Sequence, residues 1–572
     1  MNTSSSTSSL AREKMTYFLE CRGKLIALLL VFMFILWLVT ISTTHIIQFP
    51  PDPFYYVKEL PASYWAGMAL AVLVLTLLVH KPLPRMKVIA EMGVITILIL
   101  YLFGTPCFIY SNPRFQDVYE IADLVNWINT TGHLTGMIKW YLTDWPMATV
   151  SFSVGSQILG INVLSFGQYY PIFSMFLLTL LLYILAKKVT SEYCLIAPVA
   201  YMSFAWPQAY QMVPQYYTLL LSVLLIFLLL SLKDSAFPGY ETTKIVLILT
   251  IWFVMVLAHG ASPLLNLIAL VSMLLIYNLI KRFPLTRGKH PWGESSPRIQ
   301  AITAFIIPFA VAFLFYAFFE AEFLGIRMVS WLQITIENIL NEETFLLTGR
   351  YVTTPAASYT MLSSIRLTTS LGILVLGSLS SLHLFLKGKS GSFDLTVVGF
   401  FVGYMGLACY LIISHLGIYG TNRAYIFGLI PASVLFAMMV GSTFDAAMHK
   451  TVNYSKEHLL KRRWRFDKLY PAIFSRVILL FIIVSMLAFP ITKYGSDLYG
   501  FMPESELAAR LFVDEHPEAI GIRQFESWIY NMFEWKQQEG EKYRSNFISN
   551  DLNMIYNSGQ SQIYLPISPK LQ

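Results

Sequence analysis

The sequence has little charge. Only 13% of its 572 residues are Asp, Glu, Lys or Arg, while 56% are hydrophobic. Soluble domains carry roughly 25% charged residues, so most side chains here do not meet water, and a soluble globular chain is excluded. Cysteine is also scarce: Cys21, Cys107, Cys194 and Cys409 are the whole complement. None forms a Cys-x-x-Cys pair and three lie in or beside apolar runs, so neither a disulfide framework nor a zinc site is expected. A leader of the secretory kind is not expected at the start. Its first 20 residues are rich in Ser and Thr. The apolar run from Leu25 is too long for a signal peptide, lacks a cleavage site, and reads as a retained helix. Hydropathy has no internal repeat, which weighs against a transporter built on inverted repeats.

What the sequence has is long apolar runs, recurring from Leu25 to Leu487, with a mean hydropathy of +0.58. A helix needs about 20 apolar residues to cross a hydrocarbon core. Transmembrane β-strands would read instead as alternating segments of about ten. The runs are continuous, so the fold class is an all-α polytopic membrane protein of about 13 transmembrane helices. Spans are expected near 25–46, 62–80, 88–109, 168–187, 190–206, 210–232, 243–258, 262–280, 299–319, 367–386, 394–414, 424–446 and 474–492. The shortest, 190–206, ends at Trp206-Pro207, where proline stops a helix.

Basic residues orient the bundle. With the N-terminus in the cytoplasm, the cytoplasmic segments hold 26 Lys and Arg, and the outer loops before the C-terminal tail hold 7. This is the positive-inside pattern. It accounts for the net charge of +7 without a nucleic-acid partner. Lys461-Arg462-Arg463-Trp464-Arg465 then reads as a cytoplasmic anchor facing anionic lipid. The expected divisions are a cytoplasmic N-terminal tail, 1–24, a multi-span domain, 25–492, and an extracytoplasmic C-terminal tail, 493–572. Outer loops cover 110–167 and 321–366. In the tail, Leu507, Ala508, Leu511 and Phe512 predict a short helix after Pro503, ahead of a small mixed or irregular domain.

The first outer loop carries the candidate chemistry. After Pro113, Ile121, Leu124, Val125 and Ile128 recur at helical spacing until Gly132. This predicts an amphipathic surface helix, with a second over Trp145 to Leu159. Asp117 and Glu120 are neighbours on the first, and Asp123 follows. Such acids also complement a helix dipole, and Asp117 could serve as a cap. Arg423 opens the twelfth span from outside in Asn422-Arg423-Ala424-Tyr425, with His415 and Tyr419 just before it. An arginine there either meets an anion or snorkels. His259, in Ala258-His259-Gly260-Ala261-Ser262-Pro263, ends a span and could equally be a helix cap. Glu337 and Arg350, in the second outer loop, read as ordinary loop charges. Asn129-Thr130-Thr131 forms a sequon, a candidate acceptor only.

Asp117-Val118-Tyr119 on the first-loop helix, closing in Gly132-His133-Leu134, resembles the GT-C superfamily of integral-membrane glycosyltransferases. The many spans and the large early and late outer loops resemble it too. The superfamily includes protein mannosyltransferases, lipid A aminoarabinose transferases and oligosaccharyltransferase catalytic subunits. The His-x-x-Ser-Pro turn at His259 and the Asn-Arg-x-Tyr start of the twelfth span resemble further features of it. The resemblance implies sugar transfer from a polyprenyl-phosphate donor, embedded in the bilayer, to a protein, lipid or glycan acceptor on the extracytoplasmic face. It implies Asp117 and Glu120 as catalytic residues, and Arg423, His415 and His259 around the donor phosphate. It dictates no cofactor, although a divalent metal is possible beside the carboxylates. The tail departs from oligosaccharyltransferases: Ser527-Trp528-Ile529-Tyr530-Asn531 lacks the doubled tryptophan and the aspartate of their signature. Thr335-Ile336-Glu337-Asn338 likewise misplaces its acid, which disfavours N-glycan transfer. Two other readings compete, a transporter or lipid-linked saccharide flippase and a non-catalytic membrane scaffold. Transporters favour ionisable residues deep in spans, whereas here Glu91, Glu192, Lys244, Asp445 and Arg476 all lie near span ends.

The charge asymmetry predicts which surfaces water-borne reagents reach. In intact cells, an impermeant thiol reagent should label a cysteine placed at Ser545 and spare one at Arg463. Labelling at Arg463 would reverse the topology.

Overall fold

The computed structural model describes residues 4–44, 54–80, 87–114, 116–134, 145–190, 192–206, 211–232, 240–282, 296–321, 329–330, 333, 357–386, 392–413, 418–453, 466–494, 520–525, 528–531, 552–557 and 561–566. His415, Glu337, Arg350, the basic stretch 461–465 and the helix expected after Pro503 lie outside the described residues.

The helices in chain order are Ser4–Thr43 (α1), Tyr55–Glu59 (α2), Ala62–His80 (α3), Lys87–Ile99 (α4), Thr105–Ile109 (α5), Gln116–Thr131 (α6), Pro146–Leu159 (α7), Val163–Val189 (α8) and Ile196–Phe204 (α9). They continue as Pro214–Ser231 (α10), Glu241–Ala258 (α11), Ala261–Arg282 (α12), Ser296–Thr303 (α13), Ile306–Phe315 (α14), Ala357–Leu386 (α15), Ser392–Ile413 (α16), Ile418–Asn453 (α17) and Phe466–Tyr494 (α18). A π-turn, Leu100–Gly104, joins α4 to α5. Lipid offers no water to replace a lost helix bond, so groups freed at such a turn need internal partners. The Trp37 indole donates to the Leu100 carbonyl at 3.0 Å, and the Tyr64 hydroxyl to the Tyr101 carbonyl at 3.3 Å.

Among the described residues, twelve helices are long and apolar enough to cross a bilayer, and they coincide with twelve of the thirteen expected spans. The remaining one, 190–206, is different in kind. It holds only the nine-residue α9, and all nine residues are buried. Just before and within it, Leu195 and Ile196 share a cavity wall with Arg476 and Leu479, near the start of α18. Just after it, the Trp206 carbonyl accepts a hydrogen bond from Lys493 at 3.3 Å, at the other end of α18. Arg476 and Lys493 lie ~25 Å apart at the rise of an α-helix. The short segment thus lies alongside α18, its start toward the Arg476 end and its close toward Lys493. Its nine helical residues are buried, mainly among neighbouring helices, which lessens the need for a long apolar run.

At the centre, residues 424–441 of α17 are all buried. This helix packs most extensively on α16, which in turn packs closely on α12. Glycine makes that second contact. A Cβ at Gly399 or Gly403 of α16 would come within 2.6 Å of the Cα of Met273 or Ala269 of α12, respectively. Small residues at i and i+4 let membrane helices approach this closely. Polar side chains bridge the same helices. Tyr404 donates to the Asn266 side-chain oxygen at 2.8 Å, and Asn266 donates to Ser222 of α10 at 3.0 Å.

The tail contains strands that the sequence reading did not place. They are Ile520–Phe525 (β1), Trp528–Asn531 (β2), Leu552–Asn557 (β3) and Ser561–Pro566 (β4), in the antiparallel order β2-β1-β4-β3.

The glycine contact has a measurable consequence. Gly403→Leu should lower the stability of the purified protein by about 1–3 kcal/mol through overpacking, read as a fall in melting temperature. Gly406→Ala, on the same helix but with open space where its Cβ falls, should change little.

Candidate functional site

The first-loop helix forms as its periodicity predicts. Pro113 precedes α6, and Gly132 follows it with φ +76°, a left-handed conformation that glycine adopts without penalty. Val118, Ile121, Ala122 and Val125 form its buried face, against Ala148 and Phe152 of α7 and Val163 and Tyr170 of α8. The expected second surface helix is α7, and it leaves Val154, Ile158 and Leu159 exposed, as suits a helix lying along the bilayer. Asn129 of the sequon is committed to this packing. Its side-chain oxygen accepts from Ser153 at 2.5 Å and Gln157 at 2.9 Å.

Asp117, in the first turn of α6, is exposed. Its Oδ2 accepts a hydrogen bond from Gln211 Nε2 at 3.2 Å. Gln211 is itself buried, and its Oε1 has no hydrogen-bond partner among the described residues. That carboxamide can hold Asp117 in one orientation without neutralising it. Glu120 is half-buried one turn on, and Asp123 is exposed. Among the described residues no three His, Cys, Asp or Glu side chains gather into a metal-holding group.

Beside Asp117 lies a narrow cavity of about 40 Å³, lined in part by Val118, Gln168, Gln211, Arg114, Lys493 and Tyr494. It has room for a few waters or a small anionic group, not for a sugar. Two basic side chains, Arg114 and Lys493, stand in its walls. The Arg114 guanidinium lies 4.0 Å from the centre of the Tyr494 ring, a cation–π distance. Burial lowers Arg114 from the ordinary arginine range, partly offset by Tyr110 and Tyr494; an arginine stays cationic regardless. Lys493 is within electrostatic range of both Arg114 and Arg366. Arg366 lies over the Trp206 ring at 4.9 Å and donates to the Thr492 carbonyl at 2.8 Å. Three basic side chains from three distant parts of the chain therefore converge. Like charges gathered away from water oppose one another, and an anion among them relieves that cost.

Arg423 and His259 also come together. His259 sits in the break between α11 and α12, is buried, and shares a 2.7 Å hydrogen bond with Ser262 through Nδ1. Burial, and then the Arg423 charge, hold its pKa well below the ordinary histidine value. It is therefore a neutral hydrogen-bonding group, not a second cation. Arg423 is half-buried near the start of α17. Two residues on, the Tyr425 hydroxyl donates to the Phe204 carbonyl at 3.3 Å, and its ring lies 6.1 Å from Trp206. Trp206 thus touches the Arg423 side of the site through Tyr425, and the Asp117 side through Lys493 and Arg366.

Sequence reasoning counted Arg114 and Arg366 only as outer-loop charges and passed over Lys493 as a span boundary. The available signal was positional. Each is a lone cation at a span end that the charge pattern predicts to lie outside, where few cations are expected.

No family model and no curated protein matches the chain. Solved structures similar to it include the oligosaccharyltransferase of Archaeoglobus fulgidus, in complex with Zn and sulfate. The likeness has 13% identity and a TM-score of 0.44, and covers 84% of this chain. This chain spans 58% of that protein's length. ArnT from Cupriavidus metallidurans is similar in its apo state, at 11% identity and TM-score 0.44, and bound to undecaprenyl phosphate, at 12% and 0.44. Both ArnT matches cover 83% of this chain and 97% of the other.

The state of His259 links pH to stability. Its folded pKa lies below its unfolded value near 6.5. The unfolded chain therefore binds the extra proton. This contribution is fully present above about pH 6.5 and is lost as pH falls toward the folded pKa. Between pH 7.5 and 5.5 the wild-type melting temperature should fall more than that of His259→Gln. Equal falls would remove His259 as the cause.

Proposed function

We propose that this protein is a membrane glycosyltransferase that moves a sugar from a polyprenyl-phosphate donor to an acceptor on the extracytoplasmic face. One observation carries the reading: an exposed carboxylate, Asp117, stands at the rim of a cleft whose walls hold Arg114 and Lys493, with Arg366 close by. Sugar transfer from a lipid phosphate needs a base to take the acceptor's proton and cations to stabilise the departing phosphate. In this reading Asp117 is the base, positioned by Gln211. Glu120, one turn on, tunes its charge. Arg114 and Lys493 take the phosphate, and Arg114 can engage two oxygens at once through its planar fork. Arg423 is a further phosphate-facing cation. His259, being neutral, supports it by hydrogen bonding rather than by charge. The lipid chain lies along the spans, and the acceptor arrives from outer solvent.

The arrangement favours an enzyme over a flippase, because the carboxylate is at the outer rim and not along a path through the spans. A scaffold or a flippase has no need of Asp117.

Single substitutions separate these roles. Asp117→Asn should stay folded and bind undecaprenyl phosphate as the wild type does, yet lose sugar transfer by about 10²–10⁴. Arg114→Ala and Arg423→Ala should weaken undecaprenyl phosphate binding, and Arg423→Lys should restore it only in part. Full transfer activity in Asp117→Asn would end the proposal. So would unchanged binding in both arginine variants.

A further inference from the structure

A second cavity lies at the opposite end of α18 from Lys493. Its volume is about 240 Å³, and its walls come from α3, α9 and α18, together with Leu195 just ahead of α9. Eleven residues line it, and only Thr76 and Arg476 are polar. Thr76 spends its hydroxyl on the Val72 carbonyl of its own helix, at 2.8 Å. That leaves Arg476 as the one polar head over an apolar hollow. Arg476 is exposed, lies within the span Ile473–Tyr494, and makes no hydrogen bond or ion pair among the described residues. Arg476 lies one turn inside the end of that span, where an arginine either snorkels to the interface or meets an anion.

The surroundings say what covers it. Leu480 also lines the cavity and is 62% exposed. Since it lies inside a span, that exposure is to lipid. The hollow therefore opens sideways into the bilayer, not to water. The same end of the bundle is basic. Cys194, next to Leu195, reaches Glu91, and Glu91 feels the charges of Lys87 and Lys187. Under the charge asymmetry of the loops this is the cytoplasmic end, where the leaflet is rich in anionic lipid. A cation over an apolar hollow that opens to lipid matches a molecule with a phosphate and a hydrocarbon chain.

We propose that this cavity binds one anionic glycerophospholipid of the inner leaflet, with an acyl chain in the hollow and the head-group phosphate paired to Arg476. The site is distinct from the cleft beside Asp117, since ~25 Å of helix separates Arg476 from Lys493. It does not depend on the glycosyl-transfer reading. A lipid wedged among α3, α9 and α18 would brace the short buried crossing from the lipid side.

The test uses the full-length protein in phosphatidylcholine nanodiscs doped with phosphatidylglycerol, with retained lipid counted by native mass spectrometry. Wild type should keep one phosphatidylglycerol that Arg476→Gln loses, with affinity at least about tenfold weaker in the variant, as expected for a lost charge-assisted contact. Arg476→Lys should keep it. Leu480→Trp, which fills the hollow but leaves the charge, should lose it. Arg476 and Leu480 are exposed, so monodisperse, normally melting protein is expected for all three variants. Equal retention in Arg476→Gln and wild type overturns the proposal. Full retention in Leu480→Trp overturns it as well, because the contact would then be charge at the surface alone. Displacement of the bound lipid by millimolar inorganic phosphate would likewise overturn it, by reducing the site to a free-anion site.

Discussion

The packing of α9 against α17 and α18 is the contact on which the rest of the bundle depends. A chain that crosses a bilayer in contact with lipid needs about 20 apolar residues. Here the chain runs alongside α18 through a nine-residue helix whose residues are all buried, packed mainly against α17 and α18. That economy needs the backbone groups where the helix ends to be met from within. The Phe204 carbonyl is met by Tyr425 and the Trp206 carbonyl by Lys493. The same two bonds carry the crossing's end into the candidate site. Trp206 then offers its ring to Arg366 and Tyr425. The site is thus assembled around the end of a segment that exists only because the bundle buries it.

α18 gives the molecule two chemically different ends. At one end Lys493 and Tyr494 join Arg114 and Arg366 beside an exposed carboxylate. At the other a single arginine tops an apolar hollow that opens to lipid. Both arrangements present cations to an anion, but with different company. Beside Asp117 the walls include Gln168, Gln211 and Tyr494, which suit a phosphate that must be held and released during chemistry. Around Arg476 the walls are hydrocarbon, which suits a resident lipid. The central polar ladder of His259, Ser262, Thr218, Asn266, Ser222 and Tyr404 ties α10, α12 and α16 together between these ends.

Much of this was legible in local pattern. Continuous apolar runs announce membrane helices, and twelve spans fall where hydropathy places them. The α6 helix was readable from the spacing of Ile121, Leu124 and Val125 and from the stop at Gly132. Asp117 was readable as a carboxylate at the start of that helix. The pairing of His259 with Arg423 was only suspected, since the two stand far apart in sequence. His259 reads in sequence as a helix cap or a neighbour of the phosphate; its charge state was not legible, because a sequence does not report burial, and burial is what keeps it neutral. The strands of the tail were missed because its mixed charge and aromatic content mask a short alternating pattern.

The sequence by itself determined that the chain lives in a bilayer, which residues span it, how its basic loops are distributed, and that a surface helix presents Asp117. Each of these follows from properties read within about 20 residues, namely hydropathy, helical period and local charge. Only the tertiary structure decided that Arg114, Arg366 and Lys493 meet, that Gln211 reaches Asp117, and that 190–206 is a buried crossing rather than a lipid-facing one. Those outcomes depend on how helices far apart in the chain pack. Close packing at Gly399 and Gly403, and internal hydrogen bonding where no water is present, select one arrangement that no single segment encodes.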